Sequence, residues 1–504
     1  MIPVCGIVAV HRLNPIGRTE VDEADARRML HRIAHRGPDG EGLQVLGGDV
    51  IAHARLSIVD LAGGAQPLES QAGSWIVANG EIYNHEDVRA GLDFPFRTDS
   101  DSEAALAVVE VLGVEGVSVL RGMYAFVVVR ADGEFVAARD PLGIKPLYWV
   151  ESDGVVSFAS ELRAFDTDQL PAVREFPPGH MWSSRSGLSA LERATTTEPA
   201  PATHQQARER IRAALVAAVE RRMMADLPVG VFLSGGLDSS IVAAIMARVA
   251  DPAHGPVRSF AAGTAGSSDL LAARRVAEHL GLDHTEIVYS ADDAVEAVPD
   301  VVRSIESYEP SLVRSAVPNY LLSEVAARSV KVVLTGEGAD ELFAGYAHYL
   351  DMDADDLQAA LDDSVDGLHN LNLQRCDRVT MAHGLEARVP FLDVDVLALA
   401  RQVPIDWRLP RQLGQEKAIL REAFAGWLPD DLLWRVKEQF GDGSGTAEVM
   451  RARIEDLESG TDWASTRVDD LPAPRSREEL AYQRVFAAAL PGVRDDVIGR
   501  FATA

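Results

Sequence analysis

Residues 190–206, ALERATTTEPAPATHQQ, carry Pro, Thr and Ala without any apolar period, and the patterns on either side differ in kind. Before this stretch, short apolar runs read as strands, among them Gly6–His11, Trp75–Val77, Tyr124–Val129 and Glu134–Ala137, separated by Gly, Pro and Asp turns. After it, strand and helix alternate. Gln206–Asp226 has apolar residues at helical spacing, Val229–Leu233 is a buried-type strand, and a Gly-rich turn leads into the helix Ser239–Val249. The unit recurs at Val257–Ala261 with Leu270–Leu280, and at Val330–Leu334 with Ala339–Tyr349. Such alternation builds a parallel α/β sheet. A chain of 504 residues exceeds one ordinary core. The pattern therefore predicts two domains, 1–190 and 207–504, joined by a linker over 191–206.

Composition narrows the partners. A formal net charge of −29 repels phosphate backbones and anionic lipid, which argues against nucleic acid and membrane. No apolar run approaches the roughly 20 residues that span a bilayer. The short stretch Val4–Val10 has neither a basic region before it nor a small-residue cleavage site after it, unlike a secretory signal. Two cysteines, Cys5 and Cys376, cannot staple a chain of this size, and a reducing, cytoplasmic setting is expected.

In the second half, Gly230-Val231-Phe232-Leu233-Ser234-Gly235-Gly236-Leu237-Asp238-Ser239-Ser240 places small residues between a strand end and a helix start. Bare N–H groups there can approach a phosphate, and the helix N-terminus favours negative charge. Asp238 at that mouth makes sense with Mg²⁺ between carboxylate and phosphate. No Lys follows in the P-loop position. A second cluster, Thr335-Gly336-Glu337-Gly338-Ala339-Asp340-Glu341, follows another strand, and ligands of open α/β sheets collect at strand carboxyl ends. Both loops are expected to meet over one crevice.

In the first half, a thiol near a chain terminus can borrow an α-amine, of pKa about 7.7–8.0, as its base. Cys5 has suitable companions. Arg55, in Arg55-Leu56-Ser57-Ile58-Val59-Asp60, offers a planar fork for a carboxylate. Asn79 and the Gly80 N–H, in Asn79-Gly80-Glu81-Ile82-Tyr83-Asn84, suit an oxyanion hole. Asp101 suits an α-ammonium group. Together they describe a glutaminase.

These motifs resemble the class II glutamine amidotransferases, joined to an ATP-pyrophosphatase half. The whole chain is similar to the glutamine-hydrolysing asparagine synthetases. The likeness runs over residues 4–440 and includes Arg36-Gly37-Pro38-Asp39-Gly40, Arg139-Asp140-Pro141-Leu142-Gly143, Gly384-Leu385-Glu386-Ala387-Arg388-Val389-Pro390-Phe391-Leu392-Asp393 and Trp434–Gly443. It implies an N-terminal-nucleophile αββα sandwich, then a parallel-sheet α/β domain with a largely helical C-terminal part. It implies Cys5 as nucleophile, glutamine held by Arg55, Leu56, Ser57, Ile58, Val59, Asn79, Gly80, Glu81 and Asp101, and ATP at Leu233, Ser234, Gly235, Gly236, Asp238, Ser239, Ala262, Thr335 and Gly336. Asp238 and Asp340 would hold Mg²⁺, Glu337 would support acyl-adenylate formation and nitrogen attack, and Lys437 would offset phosphate charge. An ammonia tunnel and a homodimer are further implications. β-Lactam-forming relatives share the architecture with a disabled glutaminase half, and the intact Cys5, Arg55, Asn79 and Asp101 set argues against them. A plain glutaminase would leave Asp238, Asp340 and Lys437 idle.

Two departures stand out. Family members usually begin Met-Cys, whereas Ile2-Pro3-Val4 intervene here. Either a short propeptide is cleaved or translation starts at position 4, since valine codons can initiate in bacteria; the second is the expectation. The acceptor segment also differs. The family pattern E-T-Y-D-x-T-T-x-R-A-S-T-P becomes Glu306-Ser307-Tyr308-Glu309-Pro310-Ser311-Leu312-Val313-Arg314-Ser315-Ala316-Val317-Pro318. Glu306 and Arg314 remain as acceptor-binding candidates, while Leu312, Ala316 and Val317 replace hydroxyl positions. Lost hydrogen bonds relax or redirect a polar site. The acceptor is therefore aspartate or another carboxylic acid.

Overall fold

Strand β1 (Gly6–Arg12) shows how the first half is layered, because both of its faces are buried. Ile7 and Ala9 point into one apolar core and Val8 and Val10 into another, the period-two consequence of a pleated strand between two layers. The computed structural model describes residues 5–13, 19–192, 199–410, 414–436, 443–457 and 462–501.

Among these residues the N-terminal half forms two six-stranded antiparallel sheets. The first runs β10 (Arg174–Glu175), β8 (Tyr148–Ser152), β9 (Val155–Ala159), β1, β3 (Asp49–Arg55), β2 (Gly40–Leu46). The second runs β12 (Gly187–Ala190), β11 (His180–Ser183), β7 (Phe135–Arg139), β6 (Gly122–Val129), β5 (Trp75–Ile82), β4 (Leu68–Glu69). Ile7, Ala9, Val77, Ala125, Val127 and Phe158 fill the space between the sheets. Helix Thr19–Arg32 covers the first sheet through Met29 and Leu30, and helix Ser102–Leu112 covers the second through Ala104–Val109. This is the αββα sandwich.

The second half is a five-stranded parallel sheet in the order β15 (Asp283–Val288), β14 (Arg258–Gly263), β13 (Val229–Phe232), β16 (Val332–Leu334), β17 (Glu386–Arg388). Helix His204–Arg222 opens it, its N-cap Thr203 accepting from Gln206 N–H. Helices Leu237–Val249 and Ser268–Leu280 flank the sheet, and the remaining chain is mostly helical.

One expected helix breaks. Ala339–Tyr349 is a helix only over Ala339–Phe343, and a 3₁₀ turn follows at Ala347–Asp351. Between them Ala344 is left-handed (φ 56°), and a Cβ on Gly345 would lie 1.9 Å from Asp340 Oδ1. The backbone is bent here to approach a carboxylate, against the helical preference of the sequence.

Candidate active sites

Cys5 sits at the mouth of β1. Its sulfur accepts from Leu56 N–H at 3.3 Å and lies 3.6 Å from the Leu56 carbonyl, while its own carbonyl accepts from Arg36 Nε at 3.1 Å. Burial pushes the thiol up to about 12, outweighing the Leu56 main-chain hydrogen bond that favours the thiolate. The only hydrogen-bond partners of the sulfur among the described residues are main-chain groups, so no side-chain base activates it there. His53 on the neighbouring strand is no substitute: burial pulls its imidazole down to about 3, and Nε2 faces the Ala78 carbonyl at 3.1 Å.

The rest of the first site lies on two loops and one strand. Asn79 is fully buried, yet neither its amide nitrogen nor its amide oxygen has a hydrogen-bond partner among the described residues. Such an orphan amide is costly unless a ligand takes it. Gly80 follows with φ 131°, and a Cβ there would lie 1.9 Å from the Met123 carbonyl oxygen. Two of the five Arg55 N–H donors go to the carbonyls of Asp60 (2.8 Å) and Leu61 (3.3 Å), curling the loop that carries Leu56–Val59. Ser57 N–H donates to Asp39 Oδ2 (2.7 Å), and Ile58 is buried in the core. Asp101 is buried, accepts from Ile82 N–H at 2.6 Å, and is raised above the usual carboxylate range by that burial.

In the second half, the loops after β13 and β16 meet as their neighbouring strands require. Leu233 N–H donates to the Phe260 carbonyl (2.8 Å). Ser234 Oγ lies 3.0 Å from Ser239 Oγ and accepts from Gly236 N–H at 3.3 Å. Gly235 (φ 73°) packs its Cα on Ala272 and Ala273, where a Cβ would come within 2.6 Å of both. A Cβ on Gly336 would lie 2.7 Å from Asp238 Cβ, which is how tightly the two loops touch. Ala262 and Thr335 are buried beside them.

A cation that sequence reasoning missed joins the two loops. Lys417 Nζ lies 2.5 Å from Asp238 Oδ2 and 2.5 Å from Asp340 Oδ1, and its side chain is nearly fully buried. Two carboxylates beside a phosphate-type loop are the protein complement that Mg²⁺ uses when phosphates supply the other oxygens, so this donor set fits the ion. Glu337 pairs with Arg375, whose Nη1 also donates to Ser315 Oγ at 2.9 Å. Glu341 is buried beside Asp340, and that burial carries its carboxyl up to about 7. Lys437 lies outside the described residues, as do residues 1–4.

The acceptor candidates divide differently from expectation. Glu306 is fully buried and spent: it accepts from the N–H groups of Leu162 (2.9 Å) and Arg163 (2.8 Å) and pairs with Arg378 at 3.2 Å. It fastens the two halves together and has no oxygen to offer a ligand. Arg314 pairs with Glu478 at 2.6 Å and donates to Ser311 Oγ at 2.9 Å. Leu312, Ala316 and Val317, the hydroxyl replacements, are all fully buried in the core. Arg375, which sequence reasoning passed over, is the cation that touches Glu337.

A profile of the asparagine synthase family matches residues 210–365 and 352–497, and the glutamine amidotransferase domain matches residues 4–210. A probable glutamine-hydrolysing asparagine synthetase of Schizosaccharomyces pombe is 36% identical, over 99% of this chain and 96% of the relative. The glutamine-hydrolysing asparagine synthetase of Sandersonia aurantiaca is also 36% identical, over 97% of each chain. One from Oryza sativa subsp. japonica is 38% identical, over 97% of this chain and 86% of its own. Matched over nearly its whole length by such relatives, the chain belongs to the family of glutamine-hydrolysing asparagine synthetases.

Proposed function

We propose that the chain makes asparagine, with aspartate as acceptor, glutamine as nitrogen donor and ATP split to AMP and pyrophosphate. The observation that carries the choice of acceptor is the helix Pro310–Ala326. Its replaced hydroxyl positions, Leu312, Ala316 and Val317, face the core, while Ser311, Arg314 and Ser315 keep the polar face beside Arg375 and Glu337. A small, doubly charged acid matches such a face, and the apolar replacements leave it unchanged.

The chemistry divides between the halves. Cys5 Sγ attacks the glutamine side-chain amide once its proton has passed to the α-amine that a free Cys5 terminus supplies. Asn79 Nδ2 and the Gly80 N–H receive the oxyanion, and the collapsing intermediate releases ammonia and leaves a glutamyl thioester for water. Asp101 and Glu81 take the α-ammonium, and Arg55 the α-carboxylate. In the other half the aspartate side-chain carboxylate attacks the α-phosphorus and pyrophosphate departs. Ammonia then attacks the acyl carbon and AMP departs, with Glu337 placed to take the surplus proton. Asp238 and Asp340 would hold Mg²⁺, which when bound supplies charge neutralisation to the polyphosphate. Lys417 lends its cation to the same place, and Lys437 is assigned the matching role by sequence alone. Two unbridged cysteines, Cys5 and Cys376, fit a reducing cytoplasm.

The test is pyrophosphate release across a panel of carboxylic acids, with glutamine or ammonium as nitrogen source. Aspartate should exceed every other acid in kcat/KM by at least about a hundredfold. A larger or more apolar acid turned over as well as aspartate would overturn this choice of acceptor.

A further inference from the structure

Between the two sites lies a set of buried ion pairs that ties the synthetase half to Glu81 of the glutamine site. Its centre is Arg388 on β17, the edge strand of the parallel sheet. The Arg388 carbonyl accepts from Thr335 N–H at 3.0 Å, so its backbone hangs from the nucleotide loop. Its side chain runs towards the other half and is fully buried. Nη2 lies 3.0 Å from Glu81 Oε1, Nε 2.8 Å from Glu386 Oε1, and Nη1 donates to the carbonyls of Arg222 (2.9 Å) and Met224 (2.5 Å).

Glu81 stands one residue beyond the oxyanion pair Asn79 and Gly80. Arg388 Nη2 ion-pairs with its Oε1 at 3.0 Å without making a hydrogen bond to it, and its Oε2 is buried with no hydrogen-bond partner among the described residues. A carboxylate oxygen kept dry and unpaired needs a cationic ligand to repay its desolvation. We infer that Arg388 is a positioning residue of the glutamine site, holding Glu81 so that Oε2 faces the α-ammonium of glutamine, and that the synthetase half thereby completes the glutaminase pocket. This rests on the glutaminase reading of the first half.

A pH consequence separates this role from simple packing. Burial raises the Glu81 carboxyl well above its ordinary range; Arg388 and Lys145 pull it down, and Asp101 and Glu386 push it up. Tyr83 and Cys5 also feel its charge. Without the guanidinium the carboxyl rises further, so a larger share of it is protonated at any given pH, and the protonated form cannot hold an ammonium group. Raising the pH deprotonates it again.

The experiment compares full-length wild type, Arg388→Gln and Arg388→Lys. It measures glutamine hydrolysis from about pH 6 to about pH 9, ammonia-dependent pyrophosphate release, and Tm. Arg388→Gln should raise the glutamine KM about tenfold or more while kcat changes less than about threefold. Its KM should fall as pH rises, ammonia-dependent synthesis should stay within about threefold, and Arg388→Lys should recover part of the loss. A glutamine KM within about twofold of wild type overturns the inference. So does a parallel loss of glutamine- and ammonia-dependent activity with lowered Tm in both variants, because that marks a purely structural residue. Wild type that hydrolyses no glutamine overturns the underlying function and this inference with it, and is recognised before any variant is made.

Discussion

The Lys417 ammonium lies 2.5 Å from Asp238 Oδ2, bringing a buried cation to the nucleotide loop from 179 residues away in sequence. The same nitrogen reaches Asp340, so one cation offsets half the charge of the two carboxylates. Two acids so close would otherwise repel each other and resist joint ionisation.

Lys417→Met should therefore cost both stability and chemistry. Removing one partner of a buried pair costs about 3–5 kcal/mol, and the lower end applies here because both carboxylates keep some solvent contact. Thermal unfolding should show a lower Tm that added Mg²⁺ partly restores. Pyrophosphate release should fall by about a hundredfold. An unchanged Tm in the absence of Mg²⁺ would contradict the pairing.

Cys5→Ala should abolish glutamine-dependent synthesis, by about a thousandfold or more, and leave ammonia-dependent synthesis within about twofold. Losing both equally would place Cys5 outside the nitrogen-donating step.

The pH response of Cys5 follows from its environment. Desolvation disfavours the thiolate, so with residues 1–4 attached the thiol stays protonated until about pH 12. Below that, each pH unit should raise the rate of Cys5 alkylation by iodoacetamide about tenfold. A rate that levels off near neutral pH in the uncut chain would show a base at the sulfur other than the α-amine.

Asn79→Ala removes the side-chain donor proposed for the oxyanion hole. Glutaminase kcat should drop by about a hundred- to a thousandfold with little change in glutamine KM, because the donor acts on charge that develops only in the transition state. Steady-state kinetics of glutamate release check this. A KM effect alone would reassign Asn79 to ground-state binding.

Leu312→Thr tests the acceptor wall. The side chain is fully buried, so the variant hides a hydroxyl and leaves a small void, at about 1–3 kcal/mol of stability. Tm should fall while the ranking of acceptor acids stays as in wild type. A changed ranking would mean that this position reaches the substrate after all.

Much of this protein is legible without coordinates, for local reasons. The period-two runs gave strands with both faces buried, the alternation after residue 206 gave the parallel sheet, and the glycines at 80, 235 and 336 stand where backbones approach within a Cβ of each other. Of the motif residues, Cys5 and Thr335 flank strand ends, Asn79 lies within β5 and Asp238 opens a helix, all places that local pattern marks well. Long-range ion pairing escaped it. Lys417 is an isolated lysine held at φ 54°, Arg388 reaches Glu81 in the other half, and Glu306 is consumed at the seam between the halves. A charged side chain declares nothing of its partner until the fold decides which charges leave water together. Burial makes pairing compulsory, and burial is a property of the assembled chain.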